Sequence, residues 1–488
     1  MKILVTQLAR FGDILQTVPP VKALRRNFPN AEIHVLVRST FQDAATALED
    51  ATAVWRFNAK EVLNPLLAFP IKIEDSTKYV NELTRDLKSY RFDRIINLSF
   101  SPLSSFLCSI LDPEAKLTSG YTRHSDGFLN IPDDASAYFY AQVGLGRNNR
   151  VHICDMFAQV AGINLMPEDF SCQVPPKNRF NLPLNSILIH IGASQKNKTF
   201  QSQQWIEVIK GFLNSSDLNI GLIGTKGELS IAEKIETVSS SSRLINLVGR
   251  TSFSDLFDLV KQARLIVAAD SALMNVANLV DTKCLNLSSA AVNFWETGPR
   301  SRGSRILYAK SMHEISPTDV VLESLNMIHG EKAFCCEAES VFDVPSFLQL
   351  NSKGFSLPWQ LIQAVYMGGE LPSAPSERML MGMIQLREVL SVIGEQIEMI
   401  IKSKESQLHA AIIDRSEDLI ARIKNLCPEL SPLIRWYETE KIRIIPGKVG
   451  DLAQKTLKIC QGLDHVLSLY LGPVKNSKEG VFDENRQI

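Results

Sequence analysis

The chain has 488 residues, 45% of them hydrophobic, and a formal net charge of −1. That length exceeds what one hydrophobic core serves, so two to four domains are expected. A chain so close to neutral carries no global basic field for a nucleic-acid backbone or an anionic bilayer, and no uninterrupted run of 18 apolar residues offers a transmembrane helix.

The chain opens with "MKILVTQLARFGD", where only Ile3 to Val5 form an apolar run, so the opening residues are expected to be neither a signal peptide nor a membrane anchor. From there β-rich runs alternate with amphipathic stretches. "KILVTQ" leads into a helical pattern through "DILQTVPPVKALRRNF", then "AEIHVLVR", a helix near "FQDAATALE", "AVWRF", a helix at "STKYVNELTRDLKSYRF", and "RIINLS". Strand and helix in alternation predict a parallel sheet covered on both faces, and continuous apolar strands such as "HVLV" agree with that. "VHICDMFAQVAGI" supplies a closing helix, and the Pro- and Asn-rich "MPEDFSCQVPPKNRFNLPLNS" reads as a linker, giving a first domain over residues 1–175.

A second alternation covers 176–330: "SILIHIG", helix, "NIGLIG", helix at "GELSIAEKIETV", "RLINLVG", helix at "SFSDLFDLVKQA", "RLIVAAD", a helix from Ser271, and "KCLNLS". Two doubly wound domains in series leave a cleft, and open α/β sheets bind ligands beyond the carboxyl ends of their strands. Residues 331–374 show no clear period and read as an irregular linker. Residues 375–475 read as a helical appendage, and 476–488 as a flexible tail. In the appendage Met379, Met383, Leu386, Leu390, Ile393, Ile397 and Ile400 alternate at spacings of four and three. Such a stripe serves either a hairpin packed within the chain or a module for self-association or partner docking.

The eight cysteines are scattered, with no CxxC pair, and read as reduced residues of a cytoplasmic protein. Adjacent Cys335 and Cys336, with only His329 near them, are read as ordinary thiols. No metal-ligand spacing and no Ser/His/Asp or Cys/His arrangement stands out. His152 and His190 lie within apolar patterns and read as structural.

The loops after the strands carry the chemistry. Gly12 permits close backbone approach after the first strand, and Asp13 at a helix start is either a plain cap or a general base facing the cleft. After "SILIHI", the loop "GASQKNKTF" offers the N–H groups of Gly192 and Ala193, the Ser194 hydroxyl and the Lys198 ammonium to an anion, naturally a phosphate. "GTKGE" presents Glu228 as an acceptor for ribose hydroxyls, "GRTS" follows the third strand, and "ADSALMN" puts Asp270 and Ser271 at a helix N-terminus. Arg10, Arg38 and Arg123 lie in or near first-domain loops, where they either meet an anionic acceptor or are solvated. A dinucleotide-dependent dehydrogenase does not fit, because "LARFGD" lacks GxGxxG.

The segments "MKILVTQLARFGDILQTVPPVKALRRNFPNAEIHVLV", "GASQKNKTF", "GTKGE", "LVGRTSFSDL" and "LIVAADSALMNVAN" together resemble glycosyltransferase family 9, the bacterial ADP-heptose heptosyltransferases, over roughly residues 1–330. "RIINLSF", "SGYTRH" and "VHICDMFAQVAGI" also resemble that family's first domain. The resemblance implies a GT-B fold, two facing Rossmann-like domains, here with an additional helical appendage. It implies inverting, metal-independent transfer of a heptose from an ADP-sugar co-substrate, with no resident cofactor, to a lipopolysaccharide core, another surface glycan or a protein acceptor. A cytoplasmic enzyme with peripheral contact to the inner membrane is implied as well. By the same resemblance Asp13 is the base, and Ser194 and Lys198 hold the diphosphate. Glu228 holds ribose, Thr251 meets adenine, and Asp270 and Ser271 open the family's D[ST]GxxH motif. Ala272 stands where that motif has glycine and Asn275 where it has histidine, so donor binding by these two departs from the family. "NLSSAAVNFWETGP" replaces the usual "FGPT" turn. On these departures the chain is also readable as a non-catalytic relative that binds a nucleotide or glycan and assembles through its helices.

Overall fold

The computed structural model describes residues 1–174, 177–193, 195–331, 340–343, 356–372, 376–402 and 406–472. Ser194, Cys335, Cys336 and the 476–488 tail therefore lie outside the described residues, as does much of 331–374. The chain divides into two compact units, Met1–Phe139 with Val143–Lys353, and Tyr140–Gln142 with Gly354–Ile488.

In the first unit, strands β1 (Lys2–Gln7), β2 (Glu32–Arg38), β3 (Ala53–Phe57), β4 (Arg94–Asn97) and β5 (Thr118–Gly120) form a parallel sheet in the order β3-β2-β1-β4-β5. Alternate side chains feed two cores. Ile3, Val5, Ile33, Val35 and Ile96 pack on one face, and Leu4, Leu36, Phe57 and Ile95 on the other. That is why these strands read as continuous apolar runs. A short hairpin follows, β6 (Thr122–Arg123) with β7 (Leu129–Asn130).

The second sheet is built from β8 (Ser186–His190), β9 (Asn219–Ile223), β10 (Leu244–Asn246), β11 (Leu265–Ala269), β12 (Cys284–Ser289), β13 (Arg305–Ala309) and β14 (Ser340–Asp343). Its order is β10-β9-β8-β11-β12-β13-β14, parallel except for β14, which runs antiparallel to β13. Both sheets therefore wind outward from their first strand, the Rossmann-like pattern. One buried cluster runs from Ile3 and Val5 of the first sheet to Ile266, Met274 and Phe257 of the second domain.

The local chemistry explains where the elements differ from the periodic reading. "DILQTVPPVKALRRNF" divides into helices Phe11–Gln16 and Val18–Asn27, with Pro19 and Pro20 in the first turn of the second. A proline there loses no intrahelical hydrogen bond. "FQDAATALE" is a 3₁₀ segment, Ser39–Ala47, bent at Phe41. The stretch 331–374 is more regular than its composition suggests, since it contributes β14 and the helix Leu357–Met367. At the carboxyl end of β4 the buried Asn97 is a hub. Its Oδ1 accepts from Thr6 Oγ1 at 3.0 Å and Ser99 N–H at 3.1 Å, and its Nδ2 donates to Tyr121 O at 2.7 Å. Gly120, beside it, has φ +92°, and an added Cβ would meet Asn97 O at 2.1 Å. Only glycine fits there.

The second unit is helical: Leu357–Met367, Glu377–Lys402, Ser406–Leu426, Ser431–Ile442 and Val449–Leu471. The stripe Met379, Met383, Leu386, Leu390, Ile393 and Ile397 is buried against Ile420, Leu433, Ile434, Tyr437, Leu463 and Leu467, with Ile400 packed at its edge. The stripe is thus consumed within the chain, and the intrachain reading of it holds. Arg387 pairs with Asp464 at 2.9 Å and Lys424 with Glu438 at 2.6 Å across helices, and Lys441 pairs with Glu417.

Candidate active site

The loop after β1 is fixed from behind. Gln7, fully buried, donates through Nε2 to Leu98 O and Thr17 Oγ1, each at 3.2 Å, and its Oε1 accepts from Ala9 N–H at 3.2 Å. Leu8 N–H donates to Ser99 Oγ at 2.7 Å. Asp13 is the third residue of the helix Phe11–Gln16, and its Oδ2 accepts from Arg10 N–H at 2.9 Å. Burial pushes its carboxyl above the ordinary aspartate range, with the Arg10 N–H and charge pulling partly the other way. The capping role is real. It leaves the carboxylate at the carboxyl edge of the sheet.

Two contacts press this turn against the second domain. The Phe11 and Phe253 rings meet edge to face at 4.5 Å, and Asn275 Nδ2 donates to Gly12 O at 3.4 Å. A Cβ on Gly12 would sit 3.3 Å from that same nitrogen, so glycine allows the approach. Asp13 is therefore held beside the starts of helices Phe253–Gln262 and Ala272–Val280.

On the second sheet, Lys198 Nζ lies 3.0 Å from Asp270 Oδ2, and the Thr297 hydroxyl donates to Asp270 Oδ1 at 3.1 Å. Both charged side chains are largely buried, which strengthens their attraction relative to a surface pair. Glu228 Oε2 accepts from Thr225 N–H at 2.6 Å and Thr225 Oγ1 at 2.7 Å. Its carboxylate overlies the Gly192 backbone so closely that a Cβ on Gly192 would meet Glu228 Cδ at 2.8 Å. Gly192 and Ala193 lead from β8 toward Lys198, and Ser194 between them lies outside the described residues. Thr251 is half-buried just before the helix that begins at Phe253, where Ser252 N–H and Oγ both donate to Asp255 Oδ2, at 2.7 and 2.6 Å. Ser271 caps the helix whose first residue is Ala272, and its Oγ is buried without a partner.

Among the arginines the structure separates roles. Arg10 is exposed at the lip of the Asp13 turn. Arg123 is committed to its own domain: Nε donates to Ser105 Oγ at 2.9 Å, Nη1 to Gly127 O at 3.2 Å, and the guanidinium lies 4.6 Å from the Phe106 ring centre. Arg38 Nε is buried without a partner. His152 is structural: Nδ1 accepts from Cys154 N–H at 3.2 Å, Nε2 lies 3.1 Å from Gly298 O, and burial holds it neutral by driving its pKa well down.

The stretch Asn293–Arg300 carries residues the sequence reading did not single out. Beside Thr297, the buried Glu296 accepts through Oε1 from Gly144 N–H at 2.9 Å and Asn149 Nδ2 at 3.1 Å, and Asn293 Nδ2 donates to Asn149 O at 2.8 Å. Arg300 Nη1 meets Asp155 Oδ2 at 2.6 Å. The signal available in sequence was the replacement of a short "FGPT" turn by a longer segment holding a glutamate between two aromatics and a threonine. Among the described residues no group of three or more His, Cys, Asp or Glu side chains is arranged to hold a metal ion, and no helix is long and apolar enough to cross a membrane.

The family model "Glycosyltransferase family 9 (heptosyltransferase)" matches residues 80–310. Residues 80–310 are a glycosyltransferase family 9 domain. Lipopolysaccharide heptosyltransferase 3 of Escherichia coli is 24% identical to the chain over 299 residues, 58% of this chain and 82% of that protein. Its counterpart from strain K12 is 22% identical over 293 residues, 58% of this chain and 81% of that protein. Among solved structures, the family 9 glycosyltransferase of Veillonella parvula DSM 2008 aligns with TM-score 0.52 and 16% identity, covering 68% of this chain and 97% of that one. The E. coli ADP-heptose lipopolysaccharide heptosyltransferase II aligns with TM-score 0.50 and 17% identity, covering 68% and 99%. E. coli heptosyltransferase WaaC, solved with ADP, aligns with TM-score 0.51 and 13% identity, covering 67% and 100%. The fold is GT-B, the family 9 domain marks the chain as a glycosyltransferase, and the helical unit lies outside the matched residues.

Proposed function

We propose that the chain is an inverting, metal-independent transferase that moves a heptose from ADP-heptose to a hydroxyl of a lipopolysaccharide core. It works from the cytoplasm on an acceptor held at the inner membrane. The observation that carries this reading is the pinning of the Phe11–Asp13 turn against the helix starts at Phe253 and Ala272. This sets a half-buried carboxylate across from a lysine-bearing, glycine-lined sheet edge.

In this reading the diphosphate lies at Lys198 and the N–H groups of Gly192 and Ala193, with Ser194 and the helix start at Ser271–Ala272 beside it. Glu228 keeps Oε2 on Thr225 and offers Oε1 to ribose, while Thr251 borders the adenine. Arg10 faces the anionic groups of the acceptor. Asp13 takes the proton of the acceptor hydroxyl as its oxygen attacks the anomeric carbon from the face opposite ADP. The bond from that carbon to the phosphate oxygen breaks, its electron pair leaves with ADP, and Lys198 offsets the charge that develops there.

Calorimetric titration with ADP and ADP-heptose, followed by a transfer assay on truncated lipopolysaccharide, tests the reading. Binding of ADP compounds and lipid-dependent turnover are expected. No heat with any ADP compound removes the donor assignment. Binding without transfer to lipopolysaccharide redirects the search to a protein acceptor, and binding without transfer to any acceptor leaves a nucleotide-binding relative.

A further inference from the structure

Asn275 occupies an unusual position for a diphosphate ligand. Its amide faces Gly12 O, and a carbonyl oxygen only accepts, so the NH2 branch must be the one turned toward it. The oxygen branch then points the other way. Asn275 is 8% exposed, and its Oδ1 has no hydrogen-bond partner. Four residues earlier, at the extended N-cap of the same helix, Ser271 Oγ is also buried and unpartnered. Burying polar atoms without partners is unfavourable, so a helix start that leaves two such atoms four residues apart is built for something that completes them.

The chemistry of these atoms decides what that is. An amide oxygen accepts hydrogen bonds and cannot donate one, whereas the oxygens of a nucleoside diphosphate at neutral pH are themselves acceptors. Oδ1 therefore repels a phosphate and welcomes a hydroxyl. Building on the transferase reading above, we infer that Asn275 is a specificity-determining residue. Its Oδ1, with Ser271 Oγ, receives a hydroxyl of the sugar being transferred, and its Nδ2 clamps the donor helix to the Asp13 turn. The polyol portion of the donor lies between the diphosphate at Lys198 and the base at Asp13, so a seat on the helix joining those two regions meets the sugar. The chain thereby recognises at this position a neutral hydroxyl in place of an anion.

The test compares plain ADP with ADP-heptose on the full-length protein. Asn275→Ala should leave the affinity for ADP within about twofold and weaken ADP-heptose about five- to tenfold, the loss expected for one hydrogen bond. An equal loss for ADP and ADP-heptose overturns the inference, because Asn275 then reads the phosphates. An unchanged donor preference also overturns it, as does an effect confined to the acceptor KM. A second arm needs no variant: among ADP-sugars each lacking one hydroxyl, one should bind the wild-type protein about five- to tenfold more weakly than the intact donor. If all bind alike, the seat does not exist. Should the wild-type protein bind neither ADP nor ADP-heptose, the transferase reading fails. Should it bind both, with Asn275→Ala preserving the preference, only this inference fails.

Discussion

Asp270 holds Lys198 through one carboxylate oxygen and the Thr297 hydroxyl through the other, at 3.0 and 3.1 Å. The lysine is thus aimed by a side chain that is itself held from the far side. Replacing Asp270 with Asn removes the charge that orients Lys198, and a loss of about tenfold in ADP affinity is expected by calorimetry, with a larger loss in turnover. Lys198→Ala should cost about 10²–10³ in turnover, the scale of removing one charge-stabilising contact from a transition state. Thr297→Val, which removes only the hydroxyl behind Asp270, should show a smaller loss of the same kind. If Thr297→Val matches Lys198→Ala, the ordering of these contacts is wrong.

Asp13→Asn should abolish transfer and leave ADP affinity nearly intact. The pH profile carries a sign. A base works ionised, and burial raises the Asp13 pKa, so kcat/KM should fall on the acid side at a pH above the ordinary aspartate range. Arg10→Ala removes a cation whose charge favours the ionised form, and it should move that limb further up in pH. A limb that stays put or moves down would separate Arg10 from Asp13.

Glu296 makes the corresponding prediction for stability. Burial raises its pKa, with the Gly144 N–H and the Asn149 amide opposing in part. The folded chain then holds this proton more tightly than the unfolded chain does. Its contribution is full below the ordinary glutamate range and is lost as pH rises through the raised value. The difference in Tm between wild type and Glu296→Gln should accordingly change sign or shrink across that window. Glu296→Ala, which strands the Gly144 N–H and the Asn149 amide, should cost about 1–3 kcal/mol below that window and less above it.

In the helical unit, Leu386→Ala opens a cavity in a fully buried stripe and should cost about 2–5 kcal/mol of that unit's stability. ADP affinity should be unchanged. A parallel loss of nucleotide binding would show that the helices support the donor site.

The architecture was legible because parallel strands buried on both faces carry uninterrupted apolar runs, and β1, β2, β8 and β11 do so plainly. β5, β6 and β7, at two or three residues each, carry too little pattern to register, whereas the equally short β10 was legible inside "RLINLVG". The turns after β1, β8, β9 and β11 stood out because glycine and cap residues follow directly on the strands. The roles of Glu296 and Thr297 did not, because they arise from pairings more than a hundred residues apart or between neighbouring loops, which local spacing does not encode. Asn275 was visible as a departure from a motif. That its nitrogen would be spent on Gly12 O required the approach of two domains to be seen.

Adjacent residues of one short segment look in opposite directions. Glu296 grips Gly144 and Asn149 of the first domain, while Thr297 touches the carboxylate that aims Lys198. Because the two residues are adjacent, a single peptide unit separates the contact with the Gly144–Asn149 loop from the contact with the carboxylate that pairs with Lys198.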